Sequence, residues 1–305
     1  MTAIEVKSLA KSFGSTQALR GTSFSVPAGS VTGFLGPNGA GKTTTLRILA
    51  GLARADAGEV RVAGIDVRQR PDKVRHHIGY LPQQPAFYDW MTGEEFLRLA
   101  GELFGMRGRA LAQRVSAVIE QVGLQKAARR PVAGYSGGMR QRLGVAQALI
   151  NRPEVLLLDE PAASLDPLGR RDLLNLIRTL AGEAAVMFST HILADADQIC
   201  DHFVMIHDGR VVLQASRQEL SQYSNPAIAF AVEEQDFDPA PLLGSQPWAG
   251  SWQRDGEVWL IHPRDLVHAQ AELPRLLLAH GLTLRHFSLR TPSLEDVFFR
   301  VVNEQ

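Results

Sequence analysis

Apolar and polar positions change rhythm several times along this chain. Residues 1–35 read as strands: IEVKSLAKSF alternates loosely, SFSVPAGSV holds a Pro and a Gly at a turn, and VTGFL is a short apolar run. GPNGAGKTTTLRILAGL follows, a Gly-rich turn running into an amphipathic helix. GEVRVAGIDV and HHIGYLP make residues 58–82 strand-like again. From Thr92 the period becomes helical. Thr92 and Glu95 form a capping-box pair, and Phe96, Leu97, Leu99 and Ala100 supply an apolar face. A second helix is predicted from Arg109 to Val122, stopping at Gly123. Residues 135–150 repeat the pattern of Gly turn and helix. EVLLLDE is apolar until its two final acids, which suggests a strand buried on both faces of a parallel sheet. A helix over 169–181 and the strand AAVMFST complete a β-α-β unit. Asp208-Gly209 between apolar runs predicts a hairpin.

The texture changes near residue 221. SQYSNP is linker-like. Beyond it come AIAFAVEEQ, the Pro-rich DPAPLLGSQPWAG, EVWLIH, a helical stretch interrupted by Pro274, LTLRHFSL and a final helix. Thr291 caps that helix, Pro292 takes its first position, and Glu295 and Asp296 lie in its first turn. The 305 residues suit about two domains. We expect one over residues 1–220 and a small α+β domain over 221–305.

Composition narrows the picture. With 45% hydrophobic and 21% charged residues, the chain has ample material for a packed core. Lys+Arg and Asp+Glu both total 32, so charge offers no ground for a nucleic-acid partner and none is expected. Cys200 stands alone, which excludes an intrachain disulfide. It follows an apolar helix pattern and reads as a small buried hydrophobe. The N-terminus lacks a signal-peptide pattern, and no apolar run approaches the roughly 18 residues of a membrane span. The histidines at 76, 77, 202, 207, 262, 268, 280 and 286 show no metal-ligand spacing. Lys occurs only at Lys7, Lys11, Lys42, Lys73 and Lys126, so a lysine inside a Gly-rich turn stands out.

That turn is Gly36-Pro37-Asn38-Gly39-Ala40-Gly41-Lys42-Thr43, the pattern G-x-x-x-x-G-K-S/T, with Thr44 next. Its glycines let backbone N–H groups face phosphate oxygens, and the helix N-terminus adds positive potential. Lys42 is expected to reach the β- and γ-phosphates, and the Thr43 hydroxyl to hold Mg²⁺. Asp159 closes a buried strand, at the edge where open α/β sheets place ligands. It can hold Mg²⁺ through water. Glu160 points differently and can orient or deprotonate water. Ser136-Gly137-Gly138 opens another helix and makes a second anion site. Each feature alone has a plainer reading: a chance Gly turn, acids capping a strand end, a Gly N-cap. Their joint occurrence argues against all three.

Tyr135-Ser-Gly-Gly-Met-Arg-Gln-Arg142 resembles the signature of ATP-binding cassette (ABC) ATPases, commonly LSGGQ. Further motifs resemble those of the same family. Gln83 in IGYLPQQ is similar to the glutamine that binds Mg²⁺ and senses the transporter, with Gln84 as the alternative. Ala163-Ser164-Leu165-Asp166 resembles the D-loop, and Asp166 joins the expected ATP-binding set. His191 in FSTH resembles the switch histidine at the γ-phosphate. Phe13 stands where the family places an aromatic on adenine; the alternative is a core phenylalanine. The resemblance covers roughly residues 3–220. The tail, ending in TPSLEDVFFRVV, resembles the extension of ATPases paired with export-type (ABC-2) permeases. Met139 replaces the usual Gln, and Ala162 and Ser164 replace Thr and Gly.

The resemblance implies a P-loop NTPase cassette: a mixed β core, an N-terminal antiparallel β subdomain and a helical subdomain near 85–150. It implies ATP hydrolysis with Mg²⁺, with Lys42, Glu160 and His191 catalytic. It also implies a head-to-tail homodimer in which Ser136 of one copy closes on nucleotide held by the other, and a separate integral membrane permease. The chain would then sit peripherally at the cytoplasmic face of the membrane. Two other classes compete: a soluble ABC ATPase acting on a ribosome or nucleic-acid machine, and a nucleotide-binding regulator without turnover. Glu160 and His191 argue against the last.

Overall fold

The computed structural model describes residues 1–223, 227–234 and 237–290, together with Leu294, Val297 and Phe298. Long alternating strands open the chain. β1 (Thr2–Phe13) pairs antiparallel with β2 (Thr16–Pro27) and with β4 (Ala57–Val62), which carries the short β5 (Ile65–Asp66) at the sheet edge. Ile4, Val6, Leu9, Val60 and Val62 turn one face of this sheet into the core.

The second sheet has the order β10-β9-β3-β8-β7-β6. β3 (Val31–Leu35), β7 (Val155–Asp159) and β8 (Ala185–Thr190) are buried at every position. Their runs do not alternate because both faces are covered. β6 (Ile78–Leu81) and β9 (His202–His207) run parallel to them; β10 (Arg210–Ser216) returns antiparallel. The predicted hairpin joins β9 to β10. Asp208 and Gly209 have φ of 45° and 73°, the left-handed pair that a type I′ turn requires.

Seven helices connect these strands: α1 (Lys42–Leu49), α2 (Pro71–His77), α3 (Gly93–Leu103), α4 (Gly108–Gln121), α5 (Gly137–Leu149), α6 (Pro167–Leu180) and α7 (Leu193–Ile199). α3, α4 and α5 pack on one another. The capping box at α3 is complete: the Thr92 hydroxyl accepts from Glu95 N–H at 3.2 Å, and the Glu95 carboxylate accepts from Thr92 N–H at 2.8 Å. Cys200 is buried, and burial pushes its thiol well above the usual range. Residues 58–82 are not strand-like throughout, because α2 interrupts them. Pro71 starts that helix, Asp72 lies in its first turn, and Arg75, His76 and His77 lie in its last. Only Val74 is buried, so no apolar period betrays it.

Contacts divide the described chain into two units, Met1–Arg217 and the segment from Gln218 onward, at the start of α8 (Arg217–Tyr223). The second unit runs β11 (Ala227–Val232), α9 (Ala240–Leu243), β12 (Ser251–Asp255), β13 (Val258–His262), α10 (Leu266–Ala279) and β14 (Leu284–Arg290). Its antiparallel sheet has the order β12-β13-β11-β14. That is the βαββαβ, ferredoxin-like topology, with the first helix cut to one turn. Ile228, Phe230 and Ile261 meet Ala269, Leu273 and Leu277 of α10. Pro274 does not interrupt α10. Proline removes one backbone bond, and burial of Leu273 and Leu277 on either side of it holds the helix together. Leu294 and Val297 are buried. The cap and first-turn residues expected for the last helix, Thr291, Pro292, Glu295 and Asp296, lie outside the described residues.

α5 packs against β6 with almost no clearance. A Cβ on Gly79 would lie 2.0 Å from the Ala148 carbonyl oxygen. Gly79→Ala is therefore expected to destabilise the chain by about 1–3 kcal/mol, the usual cost of forcing volume into a packed core. Urea unfolding measures it, and an unchanged midpoint would show that α5 yields freely.

Candidate active site

Four neighbouring parallel strands deliver the expected residues to one edge of the sheet. β3 leads into the Gly-rich turn, β8 into His191, β7 ends at Asp159 with Glu160 next, and β6 leads to Gln83. Register aligns them: Leu35 pairs with Thr190, Asp159 with Ser189, and Leu81 with Leu158. Residues far apart in sequence meet because parallel strands end on the same side.

The turn itself is half sunk. Gly36 and Ala40 are buried, while Pro37, Asn38 and Gly39 stand exposed at its crown. Gly36 has to be glycine, since a Cβ there would lie 2.2 Å from the Ile206 carbonyl oxygen of β9. Gly41 caps α1, and Thr44 is half-buried in the first turn.

Lys42 is 5% exposed. Its ammonium donates to the carbonyls of Gly36 at 2.8 Å and Pro37 at 3.1 Å, and lies 3.4 Å from Glu160 Oε1. The other Glu160 oxygen, Oε2, is 3.0 Å from His191 Nδ1. A buried carboxylate thus sits between a buried cation and a half-exposed imidazole. Glu160 has φ of 46°, in the left-handed region that non-glycine residues rarely adopt.

Asp159 is 1% exposed. Its Oδ1 accepts from Thr43 Oγ1 at 3.1 Å and from Ser189 Oγ at 2.7 Å. Its Oδ2 is buried without a hydrogen-bond partner. An orphaned carboxylate oxygen beside a threonine hydroxyl at a phosphate loop fits Mg²⁺, which takes one or two carboxylates plus phosphate oxygens rather than a full protein cage. No cluster of three His, Cys, Asp or Glu capable of caging a metal occurs among the described residues.

Ser136 caps α5, its hydroxyl accepting from Met139 N–H at 3.3 Å; Ser136 and Gly137 are exposed. Buried Tyr135 anchors this turn, donating to the Ala127 carbonyl at 2.8 Å, and burial raises its hydroxyl's pKa. Asp166 caps α6, its carboxylate accepting from Gly169 N–H at 2.7 Å. Among the described residues, no hydrogen bond or ion pair ties Ser136, Gly137, Gly138 or Asp166 to the Lys42–Glu160 cluster. Gln83 and Gln84 are both exposed in the bend after β6. Phe13 is 55% exposed, with the Lys11 ammonium 5.1 Å from its ring centre, so it is not a core residue. Ser189 joins the site without belonging to any of the motifs. Its signal is a hydroxyl two residues before His191, in a strand otherwise apolar up to that point.

Beside α3, two cavities of about 220 Å³ and 340 Å³ share Ala100, Leu103 and Gln147 in their walls. Leu103 is 81% exposed, and Leu52 and Tyr88 are exposed at the two margins. No helix among the described residues is long and apolar enough to cross a membrane.

A family model described as ABC transporter matches residues 19–163. The chain is 39% identical over 300 residues to the uncharacterized ABC transporter ATP-binding protein YxlF of Bacillus subtilis (strain 168), covering 98% of this chain and 99% of the relative. It is 38% identical over 304 residues to the daunorubicin/doxorubicin resistance ATP-binding protein DrrA of Streptomyces peucetius, covering 97% and 91%. A solved dimeric ATP-binding cassette, in a post-hydrolysis state with ADP and Pi, matches with a TM-score of 0.63 at 26% identity, covering 70% of this chain and 98% of that one. With its phosphate loop and two strand-end carboxylates, this chain belongs to the ABC transporter family, as an ATP-binding and ATP-hydrolysing subunit on the P-loop cassette fold.

Proposed function

We propose that the chain drives export through a separate membrane permease, by closing head to tail with a second copy around ATP. The observation that carries the reading is the convergence of Lys42, Thr43, Asp159, Glu160 and His191 on one sheet edge. In this reading, residues 1–220 form the ATP-binding domain and 221–305 an accessory α+β domain. Export is supported by the drug-resistance relative. The dimer is supported by the dimeric cassette and by the exposure of the Ser136–Gly137 turn at a helix N-terminus, where backbone N–H groups favour an anion.

Lys42 and the backbone N–H groups of the 36–44 turn, of which Pro37 has none, bind the phosphates. Phe13 offers its exposed ring to adenine. Thr43, Asp159 and Gln83 would hold Mg²⁺, which would supply positive charge against the phosphates. Phosphate oxygens arriving at Lys42 compete with Glu160 for its ammonium, which frees the carboxylate. Glu160 then orients and deprotonates a water that attacks the γ-phosphorus. The bond from that phosphorus to its bridging oxygen breaks, leaving ADP and phosphate. His191 steadies Glu160 and the terminal phosphate. Ser136, Gly137, Gly138 and Asp166 of the second copy complete the enclosure. The permease presents a cytoplasmic segment to the groove beside α3, which places the chain peripherally at the cytoplasmic face of the membrane. Exposed Leu52, Tyr88 and Leu103 are the apolar contacts it would cover.

Glu160→Gln keeps the shape and removes the base. Turnover should fall by about 10²–10⁴ while ATP binding persists and the dimer accumulates. Phosphate release and light scattering read both, and near-normal turnover would remove Glu160 from this role. Leu103→Glu should leave basal hydrolysis within about twofold, because the side chain is at the surface. It should abolish co-purification with the permease; undiminished co-purification would place the permease elsewhere.

A further inference from the structure

The Ser189 hydroxyl is fully buried and makes two bonds. It donates to Asp159 Oδ1 at 2.7 Å and accepts from the backbone N–H of Glu160 at 2.9 Å. We propose that Ser189 is a positioning residue for both carboxylates, leaving Asp159 Oδ2 free for the metal and holding the turn that aims Glu160 at Lys42 and His191. The proposal rests on the site reading given above.

Two observations support it independently. First, Thr43 and Ser189 both donate to Oδ1 of Asp159, which pins the carboxylate's rotation and leaves Oδ2 as the unpaired oxygen. Second, successive side chains of an extended strand point to opposite faces. Asp159 and Glu160 escape that rule, because Asp159 meets Thr43 while Glu160 meets the adjoining Lys42. The left-handed backbone at Glu160, φ 46°, makes the change of direction. The bond from its N–H to Ser189 holds that peptide in place. The in-register pairing of Asp159 with Ser189 puts the hydroxyl beside both groups.

The test uses the full chain and the variants Ser189→Ala and Ser189→Thr. Mn²⁺ is titrated in the presence of ADP by electron paramagnetic resonance, which needs no turnover. ATP hydrolysis is followed separately against ATP and Mg²⁺. Loss of an outer-shell partner typically costs 10–100-fold in metal affinity or activity. In Ser189→Ala, half-saturation by Mn²⁺ should therefore rise about tenfold or more, and kcat should fall about 10–100-fold. KM for ATP at saturating metal should stay within about threefold, because the phosphate loop is untouched. Ser189→Thr keeps the hydroxyl and should recover both quantities. Metal half-saturation and kcat within twofold of the parent would overturn the proposal. So would losses that merely track a lower folded fraction by circular dichroism. A parent chain that binds no Mn²⁺ with ADP would overturn the site reading itself, and the proposal with it.

Discussion

The parallel pairing of β3, β8 and β7 is the constraint on which the chemistry depends. A parallel sheet ends all its strands on one side, and its register decides which residues stand abreast there. Here the register puts Leu35 beside Thr190 and Ser189 beside Asp159. A one-residue slip would turn every side chain of a strand to the opposite face. All three strands are buried on both faces, so no alternation of their own sets the register and close packing has to set it. The polar residues at the strand ends are what give the register its chemical meaning.

Burial also explains why the cluster is charged on both sides. Lys42 and Glu160 are 5% and 8% exposed, and neither ion would be tolerated there alone. Together with two backbone carbonyls they satisfy one another. Such a pair adds little net stability, because desolvation offsets most of the attraction. The left-handed backbone at Glu160 fits the same account, since strained residues persist where surrounding structure over-determines them. Ser189 of the adjacent strand and His191 just past its end supply that surrounding structure.

The Ser136 and Asp166 turns obey a different logic. Ser136 and Asp166 each open a helix and spend their side chains on caps. Tyr135, packed where a Cβ on Gly93 would lie 2.3 Å from its hydroxyl, ties the Ser136 turn to α3. α3 also borders the two cavities that share Ala100 and Leu103. One helix therefore borders both the Ser136 turn and these cavities.

Most of the cassette was legible from residue order alone. The phosphate turn, the acid-ended strand, the Ser136 turn and the α3 capping box are local patterns, each set by spacing within a few residues. α2 was not legible, because a seven-residue helix with one buried side chain leaves no period to read. Pro274 misled for a related reason: local chemistry says break, while Leu273 and Leu277 in the core of the second unit say continue. The exposure of Phe13 is decided by tertiary structure, since an aromatic at a strand end has no intrinsic side. The place of Ser189 is decided there most of all. Which hydroxyl stands beside Asp159 is a matter of inter-strand register, and register arises only when strands distant in sequence pack against each other.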